Sequence, residues 1–403
     1  MLADKYFNKG NSFFQLRKYQ KAIKNFDIAI KCNPDCIEAY INKGMALKAL
    51  GQHQKAIEIF DTTIRYKPDL AEGYYAKGIT FQELGQYQKA IENYDTAIRY
   101  EPDFIAAYIN KGIALGRLGK HQEAIENFDT AIRYKPDFAT AYYNKGIALG
   151  RLGKHQEAIE NFDTAIRYKP DFATAYYNKG NALDELGKHQ EAIKNYDTAI
   201  RYKPDFATAY YNKGNALDEL DKHQEAIENF DTAIRYKPDF IAAYINKGIA
   251  LDELGKHQEA IENFDTAIRY KPDFATAYYN KGTTLEKLGK HQEAIENFDT
   301  AIRYKPDFVN AYYNKGTALG RLGKHQEAME NFDIAIRYKP DFATAYYNKG
   351  IALKNLGKLL EAIENFDTAI KYSPNDADAY NEVMSLKELG QHQETIENFD
   401  AAC

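Results

Sequence analysis

The sequence is poor in residues that cross-link a chain or anchor it in a membrane. Its 403 residues include no tryptophan and only three cysteines. Cys32, Cys36 and Cys403 are too few for a disulfide framework and favour a reducing compartment. No membrane span is predicted, because the mean hydropathy is low, at -0.62, whereas a span would need about 20 consecutive apolar residues. The first residues, MLADKYFNKG, lack the basic and apolar regions of a secretory signal. We therefore expect a cytoplasmic protein, with delivery into a host cell left open.

Neither sign of charge dominates the composition. Lysine and arginine total 53, aspartate and glutamate total 58, and the net charge is -5. This balance provides no basic surface for nucleic acid and no polybasic patch for a membrane. We predict that the chain binds neither, with a single-stranded RNA reader built from helical repeats as an alternative to be tested.

The prolines, in contrast, follow a strict period. All eleven stand at multiples of 34, from Pro34 to Pro374. A fixed period of this length is typical of a solenoid. Counted from the third residue after a proline, eleven complete repeats cover residues 3–376, and a degenerate, truncated twelfth covers 377–403. No linker interrupts them, so we expect one elongated domain. Repeats are numbered in chain order below, and positions within a repeat run from 1 to 34.

Each repeat contains two amphipathic segments, as repeat 6 (173–206) illustrates. The segment ATAYYNKGNALDEL predicts a first helix, with Gly187 ending it. The segment KHQEAIKNYDTAIRY predicts a second helix, which Pro204 stops. Neither helix can bury its apolar stripe alone, so successive hairpins must stack. The stripe of the first helix is predicted to include Ala175, Tyr176, Ala182, Leu183 and Leu186.

The spacing of a few residues resembles the tetratricopeptide repeat, and the match runs through essentially the whole chain. In repeat 6 these residues are Tyr176, Gly180, Leu183, Ala192, Tyr196, Ala199 and Pro204. The resemblance implies an all-α, right-handed superhelical solenoid of tandem helix-turn-helix hairpins, whose first helices line an inner concave groove. One position departs from the family, because lysine precedes the glycine, as at Lys179. We expect its stem to pack and its amine to reach a carbonyl or a carboxylate.

No residue constellation suggests catalysis or metal binding. Eight of the nine histidines occupy position 17, and His392 takes the equivalent place in the shortened twelfth repeat, so they lie at least one repeat apart and cannot share a metal. We expect each ring to be half-buried at the start of a second helix. Cys32 and Cys36 form a lone pair without the second pair of a zinc site. No phosphate-binding loop or nucleophile motif is present. The sequence therefore predicts no catalytic residue, no metal, no cofactor and no enzymatic activity.

The near-identical repeats differ mainly in the first helix, at positions 2, 5, 9, 12 and 13, which share one arc with position 6. Between repeats 5 and 6, for example, Gly150-Arg151 becomes Asp184-Glu185. On a helical wheel these positions span an arc of about 120°, opposite the apolar stripe. We expect this arc to be free of packing within the hairpin and, in the family's superhelix, to face the groove. Selected diversification of a binding surface is favoured over drift after recent duplication, which stays the alternative.

The predicted groove residues form a charge pattern and a polar ladder. The charge pattern runs from basic to acidic to basic: Arg117, Arg151, Asp184, Glu185, Asp218, Glu219, Asp252, Glu253, Arg321 and Lys354. The ladder comprises Asn110, Asn144, Asn178, Asn212, Asn246, Asn280, Asn314 and Asn348, flanked by Tyr143, Tyr177, Tyr211 and Tyr279, with Asn181 and Asn215 nearby. An amide can pair with the backbone of an extended peptide. Alternatively, the asparagines hydrogen-bond within or between the first helices.

Together these features predict a non-enzymatic scaffold that binds an extended peptide or a helix of a partner protein. The clamp of chaperone-tail binders is not predicted, because no three successive repeats supply its lysine, asparagine and arginine set. A self-assembling structural solenoid is the alternative, with dimerisation through the uncapped C-terminal repeat. Near-verbatim repeats also resemble the repeat proteins of host-associated bacteria, which implies a possible host-directed role.

Overall fold

The computed structural model describes residues 2–375 and 377–387, and over these residues it contains helices and turns but no strand. The all-α architecture of tandem helical hairpins is therefore confirmed. The chain divides into two compact units, Met1–Pro204 and Asp205–Cys403. Each unit is described by itself below, and the single elongated domain stays a prediction.

The N-terminal unit contains six hairpins. Its first helices are α1 (Leu2–Gln15), α3 (Ile37–Ala49), α5 (Ala71–Glu83), α7 (Ile105–Arg117), α9 (Ala139–Arg151) and α11 (Ala173–Asp184). Its second helices are α2 (Tyr19–Cys32), α4 (His53–Tyr66), α6 (Tyr87–Tyr100), α8 (His121–Tyr134), α10 (His155–Tyr168) and α12 (His189–Tyr202).

The C-terminal unit contains five further hairpins and the beginning of the twelfth repeat. Its first helices are α13 (Ala207–Asp218), α15 (Ile241–Glu253), α17 (Ala275–Lys287), α19 (Val309–Arg321) and α21 (Ala343–Asn355). Its second helices are α14 (His223–Tyr236), α16 (His257–Tyr270), α18 (His291–Tyr304), α20 (His325–Tyr338) and α22 (Leu359–Tyr372). Residues 377–387 are also helical, whereas Cys403 and the last histidine, His392, lie outside the described residues.

The predicted ends of the helices are largely confirmed, with one correction. Gly187 ends the first hairpin segment with φ +70°, and α12 ends two residues before Pro204. However, α11 ends at Asp184, and Leu186 is 41% exposed rather than part of the apolar stripe. The cause is the turn itself: the amide of Lys188 donates to the carbonyl of Leu183, which closes the helix end before Leu186.

The hairpin core has the predicted composition. Ala192, Ala199 and Tyr196 are completely buried. Gly180 lies directly against the ring of Tyr196, because a Cβ atom there would come within 2.6 Å of the ring carbon Cε1. Glycine is therefore required at position 8 by close approach of the second helix rather than by backbone conformation.

The lysine that departs from the family pattern joins successive repeats. The amine of Lys179 lies 2.6 Å from a carboxylate oxygen of Asp163 in the preceding repeat. The same 2.6 Å contact joins Lys145 to Asp129 and, in the C-terminal unit, Lys281 to Asp265. The lysine side chains are only about a fifth exposed, 21–23% in these three pairs. The expected packed stem with an amine at a carboxylate is therefore confirmed.

Within each unit, the first helices are the more closely spaced set. α3 contacts α5 and α7 contacts α9, and α15 and α17 do the same in the C-terminal unit. No second helix in the described part of the chain makes a comparable contact with the next second helix. The first helices thus form a surface shared by neighbouring repeats. Among the described residues, no helix is both long and apolar enough to cross a membrane.

Candidate functional site

The asparagine ladder is tied to the tyrosines of the preceding repeat. The amide of Asn178 donates to the hydroxyl of Tyr143 over 2.9 Å, and Asn348 donates to Tyr313 over 2.7 Å. The same bond recurs from Asn110 to Tyr75, Asn246 to Tyr211 and Asn314 to Tyr279. These contacts correspond to the alternative in which asparagines bond between first helices. Asn212 is half-buried on α13.

Two asparagines show what happens when the tyrosine is missing. Isoleucine stands at position 5 of repeats 4 and 8, as Ile109 and Ile245. In the following repeats, Asn144 donates to the backbone carbonyl of Thr140 instead, and Asn280 makes no hydrogen bond within the described residues. The tyrosine and the following asparagine therefore form one interaction unit across the repeat boundary.

The tyrosines at position 5 also pack inside their own hairpin. The ring centroid of Tyr143 lies 4.7 Å from that of Phe172 and 6.1 Å from that of Phe162. Tyr211 and Tyr279 make the equivalent contacts, and Tyr177 lies 6.1 Å from Tyr196. The expectation that the variable arc is free of packing within the hairpin is wrong at this position, because the second helix presents its aromatic rings to it.

Positions 9 and 12 contact the second helix as well. The hydroxyl of Tyr196 donates to Asn181 over 3.0 Å, whereas repeat 5 has Phe162 and Ile147 at the same two positions. In repeat 6, position 9 is therefore hydrogen-bonded to the second helix of its own hairpin. Asn215, at the same position of repeat 7, accepts a 2.8 Å hydrogen bond from Asn246.

At position 12, the aspartates pair with the histidines. The carboxylate of Asp184 accepts a hydrogen bond from Nδ1 of His189 over 2.7 Å. The same 2.7 Å distance joins Asp218 to His223 and Asp252 to His257. The corresponding distance between Glu286 and His291 is 2.8 Å. Each of these acidic groups therefore contacts the second helix of its own hairpin. The expectation of half-buried histidine rings at the start of second helices is confirmed for the described repeats.

The basic residues at positions 12 and 13 in the C-terminal unit are also paired. Lys287 lies 2.7 Å from Asp252 and 3.4 Å from Glu253. Arg321 lies 2.7 Å from Glu286, and Lys354 lies 2.7 Å from Glu382. These contacts join successive repeats, so they stabilise the stack.

The contact between Asp252 and Lys287 shifts the pKa of both residues. Burial alone raises the pKa of Asp252, but hydrogen bonds from Lys287, His257 and Thr284 outweigh it, and the net pKa of Asp252 is lowered. The hydrogen bond to Asp252 raises the pKa of Lys287 despite some opposing desolvation. Both shifts favour the charged pair.

Four residues at position 13 remain without an ion pair in the described part of the chain. They are Arg117, Arg151, Glu185 and Glu219, and all four are exposed. Their sign changes from positive to negative between repeats 5 and 6. Within the charge pattern predicted from the sequence, these residues are the ones available to a partner.

Two clefts open where position 12 is glycine. The repeat-4 cleft, of about 540 Å³, is lined by α7, α8 and α9. The repeat-10 cleft, of about 350 Å³, is lined by α19, α20 and α21 at equivalent positions. The glycines that open these clefts, Gly116 and Gly320, were not among the predicted site residues. A signal in the sequence could have identified them. Every one of repeats 4 to 10 has histidine at position 17, but position 12 is an acid in repeats 6 to 9 and a glycine in repeats 4, 5 and 10.

Comparison with protein families matches the chain to the tetratricopeptide repeat. One model described as "Tetratricopeptide repeat" covers more than half of the sequence, over 109–171, 143–194, 245–307, 281–333 and 313–382. Others with this description match 3–36, 37–70 and 207–240, and one described as "TPR repeat" matches 81–119 and 180–221. Comparison with curated proteins gives no match.

Several solved structures are similar to parts or to most of the chain. YrrB, described as a TPR protein with an unusual peptide-binding site, is 27% identical, with a TM-score of 0.42; the match covers 47% of this chain and 98% of YrrB. MamA is 28% identical over 40% of this chain and 94% of its own, with a TM-score of 0.38. Yeast Tom70 is 16% identical, with a TM-score of 0.44; the match covers 97% of this chain and 96% of Tom70.

Proposed function

We propose that this chain, which belongs to the tetratricopeptide repeat family, is a non-enzymatic scaffold that binds a partner protein on the surface of its first helices. The bound segment is an extended peptide or a helix. The observation that carries this proposal is the state of position 13 in repeats 4 to 7. There the side chains are exposed, form no ion pair with any described residue and differ in sign, as in Arg151 and Glu185, whereas a neighbouring polar group such as Asp184 makes an internal contact. Such charges mainly govern association rate and partner choice.

We infer that the asparagine ladder offers a partner its side-chain carbonyl oxygens as hydrogen-bond acceptors. One amide hydrogen of Asn178 is used by Tyr143, whereas its side-chain carbonyl oxygen accepts no hydrogen bond within the described residues. The carbonyls of Asn110, Asn314 and Asn348 are in the same situation. A row of acceptors suits the backbone N–H groups of an extended partner segment.

The proposal is tested by partner capture with two matched sets of variants. The first reverses the unpaired charges, with Arg117→Glu and Arg151→Glu in one protein and Glu185→Arg and Glu219→Arg in another. The control reverses exposed second-helix residues, Glu160→Lys and Glu228→Lys, which have no ion pair among the described residues. We expect the first set to lose partners that the wild type and the control retain. Equal capture by all variants would contradict the proposal.

Self-assembly remains the competing function. Val383 replaces the usual glycine in the twelfth repeat and is buried against Leu353, Phe366 and Leu386. The end of that repeat, where an uncapped surface was expected, lies outside the described residues. Light scattering over a concentration series separates the two functions, because a strict monomer excludes self-assembly as the main role. The host-directed role stays a prediction that the identity of a captured partner would test.

A further inference from the structure

The repeat-4 cleft has a vacant place for a side chain. Gly116 lies at position 12 of a regular helix, and a Cβ atom built on it would have no neighbour within 4 Å. Neither its backbone conformation nor close packing therefore requires glycine there. Beside it, His121 lines the cleft and makes no hydrogen bond within the described residues. The cleft thus combines open space with an imidazole that has no hydrogen-bond partner in the part of the chain that the structure describes.

The chain itself shows which group fits this place. In repeat 6 the residue equivalent to Gly116 is Asp184, whose carboxylate accepts a 2.7 Å hydrogen bond from His189. Repeats 7 and 8 repeat this pair at the same distance. Repeat 8 differs from repeat 4 only at positions 12 and 13. In three repeats a side-chain carboxylate therefore occupies the position that is vacant in repeat 4.

The charges around the repeat-4 cleft favour the same ligand. Arg117 and Arg151 both line the cleft, and neither forms an ion pair with any described residue. The repeat-10 cleft differs in this respect, because Arg321 is paired with Glu286 and a neutral Asn355 replaces the second arginine. Arginine presents fixed donors that match a carboxylate, and a charge-assisted hydrogen bond is about twice as strong as a neutral one.

We propose that the repeat-4 cleft binds the side-chain carboxylate of an aspartate or glutamate in the partner segment. The incoming carboxylate takes the place that Asp184 occupies in repeat 6, beside the His121 imidazole, and is neutralised by Arg117 and Arg151. This inference rests on the proposed function, because it assigns one subsite of the partner-binding surface.

The test measures peptide binding by calorimetry. The probe is a blocked hexapeptide of alternating glutamate and alanine, acetylated and amidated, and its control has glutamine in place of glutamate. We expect the wild type to bind the glutamate peptide on the order of tenfold more tightly than the glutamine peptide, the scale of a lost charge-assisted hydrogen bond. Equal binding of the two peptides would overturn the inference.

Matched variants locate the site. Gly116→Asp supplies an internal carboxylate, and repeats 6 to 8 already fold with aspartate at this position. We expect it to weaken binding of the glutamate peptide on the order of tenfold, since the site is then occupied and its charge reduced. Gly320→Asp makes the same change in the repeat-10 cleft and should leave the affinity within about twofold. Equal affinity of wild type and Gly116→Asp, or an equal loss in both variants, would overturn the assignment.

Two further experiments separate this inference from related explanations. A hexapeptide with alanine only and a free C-terminal carboxylate should bind more weakly than the glutamate peptide, and the opposite order would assign the cleft to chain termini and contradict the inference. Partner capture by the charge-reversal variants distinguishes failure of the cleft from failure of the proposed scaffold function. If the peptide arms fail while the charge-reversal variants still lose their partners, the cleft is wrong and the proposed scaffold function stands.

Discussion

The side-chain amide of Asn178 donates a 2.9 Å hydrogen bond to the hydroxyl of Tyr143, a residue of the preceding repeat. The variable position 5 is thus joined across a repeat boundary to position 6, which is asparagine in nearly every repeat. The ring of Tyr143 in turn rests on Phe172 of its own hairpin. The first-helix surface is therefore not a free set of interchangeable side chains, since part of it holds the stack together.

Removing that hydroxyl should weaken the stack. Tyr143→Phe leaves the half-buried amide of Asn178 without its acceptor, as at Asn280, and we expect a loss of about 1 kcal/mol in the free energy of unfolding. Urea unfolding of Tyr143→Phe, Asn178→Ala and the double variant measures the coupling. A coupling energy of about zero would show that the hydrogen bond contributes nothing.

Replacing Asp221 should stabilise the protein. Asp221 holds φ at +58° at the turn position where repeat 6 has Gly187 at φ +70°. Because a Cβ atom is disfavoured in this region, Asp221→Gly should raise the free energy of unfolding by about 1 kcal/mol. The reciprocal change, Gly187→Asp, should lower it by a similar amount. An unchanged stability in both variants would show that neither turn is strained.

Tyr94 should make stability sensitive to alkaline pH. Its side chain is completely buried, its hydroxyl donates to Gln82 over 3.0 Å, and burial raises the pKa of the phenol well above 10. Above pH 10 the unfolded chain loses this proton while the folded chain keeps it, so stability falls by up to about 1.4 kcal/mol per pH unit.

Tyr94→Phe removes this contribution. At neutral pH the variant should be about 1 kcal/mol less stable, because the hydrogen bond to Gln82 is lost. From pH 10 upward the difference between the two proteins should shrink, as measured by urea unfolding at a series of pH values. A difference that stays constant up to pH 11.5 would contradict the raised pKa.

The opposite pH dependence is expected at Asp252. Its lowered pKa means that its contribution to stability is present above its unfolded value of 3.8 and is lost as the pH falls through the folded value. Asp252→Asn should cost about 2 kcal/mol at pH 7, because it removes the carboxylate that pairs with Lys287 and His257. Below pH 4 the gap between wild type and variant should close. A gap that stays constant from pH 7 down to about pH 2 would contradict the lowered pKa of Asp252.

The sequence alone was sufficient to predict the repeated hairpin, because the elements that define it are local. Gly187 and Pro204 punctuate the helices, and the small residues Gly180 and Ala192 allow their close packing. The candidate site was predicted less well. A helical wheel considers one helix, whereas the partners of Asp184 and Asn178 come from the second helix and from the preceding repeat. Only the three-dimensional arrangement separates paired charges, such as Arg321, from unpaired ones, such as Arg151.

The central claim is that the unpaired charges at position 13 recognise a partner protein. The most direct measurement is the affinity of a captured partner for the wild type and for the Arg117→Glu and Arg151→Glu double variant, at low and at moderate salt. The account predicts a loss on the order of tenfold or more for the double variant, together with a weaker salt dependence, while Glu160→Lys with Glu228→Lys stays at the wild-type affinity. An affinity and a salt dependence equal to those of the wild type would contradict it.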